Sequence, residues 1–310
     1  MTFRDAFYDR HERLRSGWRA VLFLLLLVLL AVFLGVAAAV AASRLSVAVA
    51  AGGPATLALN GIVTLIASLA AGWLCARSLE GLPFRSLGAS PRYNWLRNLS
   101  AGLALGGVSI VIAAALAAAF GDLDFEFNTD GAHLVSETLF ASLVVFTLAA
   151  AAEEALFRGY LLQTLSRSGL AWLAIALTST FFALAHSRNP NANAFAVANT
   201  ALAGIWLGVA YLKTRDLWFP FGIHLAWNWL QGAVFGIEVS GLTDVTAHPL
   251  LREIDRGPAW ITGENYGIEA SVACTIALLL SIIAISLMPG IRPSPELKAL
   301  TSPPQSEPAA

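Results

Sequence analysis

The stretch LVSETLFASLVVFTLAAAAEEALFR, residues 134–158, decides how this chain is to be read. From Leu134 to Ala152 it carries no charge except Glu137 near its outer edge, and it then closes on Glu153-Glu154-x-x-x-Arg158. Nineteen predominantly apolar residues at about 1.5 Å rise each span close to the ~30 Å of a hydrocarbon layer, so the stretch reads as a membrane helix. Charges at such depth cost at least ~2.5–3.5 kcal/mol each for Asp, Lys or Arg near a helix centre. Two further polar motifs, Phe182-x-x-x-His186 and His224-x-x-x-Asn228, sit in apolar surroundings of the same kind. Two Glu, one Arg and two His on three spans indicate an intramembrane polar site.

Working outward, the 310 residues are 57% hydrophobic and 13% charged, about half the charge of a soluble domain. That composition excludes an ordinary soluble protein and predicts an all-α, polytopic bundle of about eight transmembrane helices. They lie near 20–42, 56–77, 99–120, 134–157, 170–187, 195–212, 217–235 and 267–288. The Arg-rich leader before Ala20 raises a signal peptide as the alternative, but an apolar core of about 22 residues exceeds the usual 7–15, so an uncleaved first span is expected. Cys75 and Cys274 lie in or beside apolar runs without CxxC or Cys/His spacing and read as packing residues. The net charge of -1 says nothing about partners, and nothing in the sequence points to nucleic acid.

The loops sort by charge. Arg4, Arg10, Arg13, Arg15 and Arg19, then Arg77, Arg85, Arg92 and Arg97, then Arg167, Lys213, Arg215, Arg292 and Lys298 fall on one side. Arg44, Arg188, Arg252 and Arg256 fall on the other, with the acidic loop Asp122 to Glu126. The Lys/Arg excess places both termini in the cytoplasm, as an even span count requires. The 236–266 loop is expected outside, as a cap or re-entrant segment, and residues 289–310 as a disordered cytoplasmic tail. The leader, 1–19, interleaves its arginines with Phe3, Phe7, Tyr8 and Trp18, a pattern suited to an anionic membrane surface as well as to an orientation signal. No inverted repeat of the transporter kind is present.

The chemistry of the motifs divides as follows. Neighbouring helical residues point about 100° apart, so Glu153 and Glu154 cannot serve one ligand equally. Glu154 and Arg158 stand at i,i+4 in the favourable order for a salt bridge, which leaves Glu153 as a candidate general base for water. His224 and Asn228 share a helix face and can both donate to an oxyanion; His186 supplies a second imidazole one turn from Phe182. The structural alternatives are a polar cluster binding two helices for the glutamates and Arg158, a packing or interfacial histidine at His186, and interhelical hydrogen bonding for His224 and Asn228. Glu153, His186 and His224 also form a His2Glu set of the zinc type, although no HExxH helix is present; no cofactor is favoured, with zinc as the alternative. Gly204-x-x-x-Gly208 allows close helix packing. At 1.5 Å per residue, His224 lies about 10 Å and His186 about 24 Å from the same face. They can meet only if the 158–170 hairpin protrudes or the spans tilt unequally.

In this order and on separate spans, the three motifs resemble the CPBP family of CAAX prenyl endopeptidases and bacteriocin-processing or immunity proteins. The wider wording from Glu153 to Gly159, Phe181 to His186, and Gly208 through Leu217-Trp218-x-Pro220 to Asn228 fits too, and Gly263 to Ser271 fits weakly. The resemblance implies that Glu153 and His186 activate water, that His224 and Asn228 stabilise the oxyanion, and that Glu154 and Arg158, with Phe182, support them. It makes 20–133 a set of N-terminal transmembrane helices before a protease core over 134–288. It further implies an endopeptidase acting on a peptide or membrane-anchored protein in a bilayer, expected to be a bacterial inner membrane. Family descriptions include both metalloprotease and metal-independent glutamate mechanisms. A non-enzymatic immunity or scaffold protein, and more distantly a small-solute transporter, are the competing classes.

Overall fold

The computed structural model describes residues 3–9, 12–44, 53–92 and 94–303; Arg10 and the tail beyond Pro303 lie outside them. Each of the eight expected segments is helical: Ser16–Arg44 (α2), Pro54–Glu80 (α3), Trp95–Phe120 (α4), Ala132–Glu154 (α5), Ala171–His186 (α7), Ala194–Thr214 (α8), Trp218–Trp229 (α9) and Val272–Leu287 (α11). Short helices Phe3–Phe7 (α1), Leu162–Arg167 (α6), Ala259–Thr262 (α10) and Pro295–Thr301 (α12) complete the set. The chain is an all-α polytopic bundle. Five helices, α2, α3, α4, α8 and the 36-residue run Ala132–Arg167, are long and apolar enough to cross a membrane. α7 and α11 are apolar but shorter, so the count of eight spans is not established by length. α2 exposes Leu25, Val28, Leu29, Val32, Phe33 and Val36 along its length, an outward face suited to hydrocarbon rather than water.

Two features position the site. First, the run from α5 to α6 contains a π-helical turn, Ala155–Leu161, with a kink at Gly159 (φ -61°, ψ -105°). Wide turns of this kind free backbone and re-aim side chains, and they gather at functional sites. At about 54 Å the 36-residue run exceeds a bilayer core, so the extra turns toward Arg167 supply the length by which α7 reaches His186. Second, helices touch through glycines. A Cβ on Gly102 would lie 2.3 Å from the Phe219 carbonyl oxygen, and one on Gly106 2.2 Å from that of Ile223. α4 and α9 therefore meet backbone to backbone. On α8, a Cβ at Gly204 would lie 2.7 Å from Ser179 Cα and one at Gly208 3.1 Å from Ile175, so the expected small-residue packing is present against α7.

Three parts depart from or add to the expectation. Leu123–Phe127 (β1) and Leu251–Asp255 (β2) pair antiparallel, Leu123 opposite Asp255, and tie the 236–266 loop to the α4–α5 connection. That loop folds back over the bundle: Gly241 N–H donates to the Tyr266 carbonyl (2.9 Å) and Asn189 Nδ2 donates to the Ser240 carbonyl (3.1 Å). The tail read as disordered is in part ordered. α12 starts on a Ser294 side-chain cap, buries Leu297 and Thr301, and joins Glu296 to Arg85 in an ion pair. Pro295 at the first helical position and two buried side chains outweigh the tail's polar composition. Both cysteines are free and buried, as packing residues would be.

Candidate active site

The three motifs converge although they lie on α5, α7 and α9. Glu153 Oε2 stands 4.0 Å from His186 Nε2 and 3.8 Å from His224 Nε2. This oxygen is buried and has no hydrogen-bond partner among the described residues. Separations near 4 Å are too long for direct hydrogen bonds and short enough for one water to touch both groups. His186 Nδ1 lies 2.8 Å from the Phe182 carbonyl oxygen. A carbonyl only accepts, so the hydrogen is on Nδ1 and the neutral ring presents a bare Nε2 toward Glu153.

Glu154 faces the other way. Its Oε1 accepts from Arg158 Nη1 at 3.1 Å and lies 2.9 Å from His224 Nδ1. Arg158 Nη2 donates to the Gly204 carbonyl at 3.3 Å, so α5, α8 and α9 are joined through one carboxylate and one guanidinium. Both side chains are essentially inaccessible, 1% for Glu154 and 0% for Arg158. Glu154 thus does more than neutralise Arg158, because it also fixes which nitrogen of His224 points into the site. Phe182 sits beneath the cluster, with its ring 4.6 Å from that of His186 and 4.8 Å from the Arg158 guanidinium carbon.

Two hollows meet at Glu153, His186 and Asn228. One is an inner cavity of about 60 Å³ with a mixed polar and apolar lining, and His224, Ser240 and Glu269 are also in its wall. The other is a largely apolar cleft of about 320 Å³ along α3 and α5, from Leu57 and Gly61 to Phe146 and Val245. Glu269 escaped the sequence reading although it falls inside the expected eighth span, where a charge is itself a signal. Its carboxylate accepts from both the backbone N–H and the hydroxyl of Ser240. Ser240, with a positive φ of 51°, was likewise not foreseen, because its place depends on the fold-back of the cap.

Among the described residues, no group of three or more His, Cys, Asp or Glu side chains is arranged to hold a metal ion. Glu153, His186 and His224 face one another, yet the two nearest ligand atoms stand 3.8–4.0 Å from Glu153 Oε2, wider than the ~3.3 Å edge of a tetrahedron with ~2.0 Å bonds. The zinc alternative finds no support in this arrangement.

Residues 135–230 match the family model described as Type II CAAX prenyl endopeptidase Rce1-like. The matched stretch contains all three motifs and bears out the resemblance to the CPBP proteases. No curated protein matches the chain. The fold and the match together make this an integral membrane protein with a CAAX-protease-like segment.

Proposed function

We propose that the protein is an intramembrane endopeptidase in which Glu153 activates water against a peptide bond of a membrane-associated substrate. The observation that carries the reading is the buried Glu153 Oε2, without a hydrogen-bond partner among the described residues and poised between two imidazole nitrogens. A water there gives one hydrogen to Glu153 and the other to the bare Nε2 of His186, which leaves a lone pair free to attack. Water oxygen bonds to the carbonyl carbon as its proton moves to Glu153. The carbonyl oxygen becomes an oxyanion, received by the Asn228 amide and by His224 Nε2–H. Because His224 Nδ1 is already engaged with Glu154, that second donation uses the imidazolium form. Collapse breaks the C–N bond, and the proton on Glu153 passes to the leaving nitrogen, returning the carboxylate. The apolar cleft beside Glu153 suits a substrate segment held against the membrane, including a lipid-modified C-terminal tail.

The purified protein in lipid nanodiscs, incubated with a library of membrane-anchored peptides with and without chelator, tests this. Cleavage abolished by Glu153→Gln and unaffected by chelation is expected. Cleavage that is lost with a stoichiometric metal and restored by zinc would overturn the metal-free route. No cleavage across the library would favour the immunity or scaffold reading.

A further inference from the structure

A second charged centre lies at the opposite end of the bundle from the cap, where α2, α3 and α6 meet. Glu80, the last residue of α3, has its side chain 1% exposed. Its Oε2 is shared by Arg19 Nη1 and Arg167 Nη1, both at 2.9 Å, and its Oε1 accepts from the Thr164 hydroxyl at 2.6 Å. Arg19 Nη2 also donates to Ser168 Oγ at 3.0 Å. The carboxylate is saturated, yet the Nε–H groups of Arg19 and Arg167 are buried without an acceptor among the described residues. Beside them opens a cavity of about 350 Å³ whose wall also includes Arg13, Arg15 and Asp9. Among the described residues that line it, four guanidiniums stand against two carboxylates, with Arg13 and Arg15 at its exposed rim.

The position of this recess in the bundle bears on its ligand. One turn further along α2, Val21, Leu22 and Leu25 are exposed, so the cavity sits where the lipid-facing surface begins. Trp18 is stacked on Phe7 with ring centroids 4.9 Å apart, and its Nε1 donates to the Ala6 carbonyl at 3.0 Å. An indole fixed in this way marks the interface between headgroups and chains. Guanidinium forks match phosphate oxygens in geometry and charge. We infer that the cavity bounded by Arg13, Arg15, Arg19 and Arg167 binds a phosphate group, that of an anionic phospholipid at the headgroup level.

Arg13 and Arg15 take no part in the Arg19–Glu80–Arg167 ion cluster, although Arg15 Nε also donates to the Tyr8 carbonyl at 3.2 Å, and the inferred site uses both. The full chain in phosphatidylcholine nanodiscs, with phosphatidylglycerol, phosphatidic acid or inorganic phosphate added, separates binding from a structural role. Retained lipid is read by native mass spectrometry and stability by thermal unfolding. Anionic lipid should be retained and should raise Tm, and the double variant Arg13→Gln/Arg15→Gln should bind it about 30-fold more weakly, at roughly fivefold per cation. The variant's Tm in phosphatidylcholine alone should equal the parent's. A shift produced equally by inorganic phosphate would keep the phosphate site and assign it to the free anion. Equal retention by the variant, equal stabilisation by phosphatidylcholine, or a lower variant Tm without anionic lipid would each overturn the inference.

Discussion

Glu154 Oε1 and His224 Nδ1 stand 2.9 Å apart, a buried contact between residues separated by 70 positions. Through it, the carboxylate that neutralises Arg158 also orients the imidazole facing Glu153. The adjacent glutamates therefore have different expected phenotypes. Glu153→Gln keeps shape and loses the base, so activity should fall by about 10²–10⁴ with Tm unchanged. Glu154→Gln leaves Arg158 uncompensated in the interior and should cost ~3–5 kcal/mol of stability. Unfolding curves and single-turnover rates on both variants check this; equal Tm and equal rates would remove the division of labour.

Asn228 borders both the inner cavity and the apolar cleft. Asn228→Ala should lower kcat by roughly 10²–10³, the effect of one oxyanion donor, while KM for an anchored peptide changes little. A loss confined to KM would make Asn228 a binding residue instead.

The contact of α4 with α9 leaves no room for a methyl group at Gly106. Gly106→Ala places Cβ 2.2 Å from the Ile223 carbonyl oxygen, next to His224, whereas Gly107→Ala meets only the end of the Leu230 side chain at 3.2 Å. Overpacking against backbone should cost about 1–3 kcal/mol or more for the first and little for the second. Thermal unfolding of the pair measures the difference, and similar Tm values would show that α9 can retreat freely.

Outside the membrane helices, Glu253 on β2 is pushed up from 4.5 to about 9, first by burial and then by its hydrogen bond with Glu238. The folded chain holds a proton there that the unfolded chain releases near 4.5. Its stabilisation is complete below that value and is lost as pH rises through about 9. Tm should therefore fall between about pH 5 and pH 9.5, and Glu253→Gln should flatten that slope. An unchanged slope would place the titration elsewhere.

Reporter fusions at Asp124 and Ser90 should report opposite sides of the membrane, with Ser90 cytoplasmic, because lysine and arginine cluster on its side. The same report from both would break the span assignment.

Much of the site was legible because charges in an apolar run are costly and stand out: Glu153, Glu154, Arg158, His186 and His224 announce themselves by type and spacing. The partnership of Glu154 with His224 was not legible, since i,i+4 spacing reveals pairs on one helix and says nothing of a third helix. Gly102 and Gly106 carry no charge, and only the Ile223 and Phe219 carbonyls show what their missing side chains permit. Glu269 blended into an apolar span beginning at Gly267, whereas the helix starts at Val272 and leaves the carboxylate on the loop that meets Ser240. The β1–β2 pair escaped because five-residue strands joined across more than a hundred positions leave little periodic signal.

The π-helical turn at Ala155–Leu161 has one more consequence. Within three residues, Arg158 reaches Gly204 on α8, while Tyr160 lies against Phe23 of α2 with ring centroids 5.3 Å apart and fills the hollow at Gly72 of α3, where an added Cβ would sit 3.2 Å from its own. The helices α2 and α3 carry none of the three motifs, yet they brace the segment from which the buried Arg158–Glu154 ion pair hangs. They act as a buttress, and a substitution far from Glu153, in the wall formed by Phe23 and Gly72, should reach Arg158 and Glu154 through a single turn of helix.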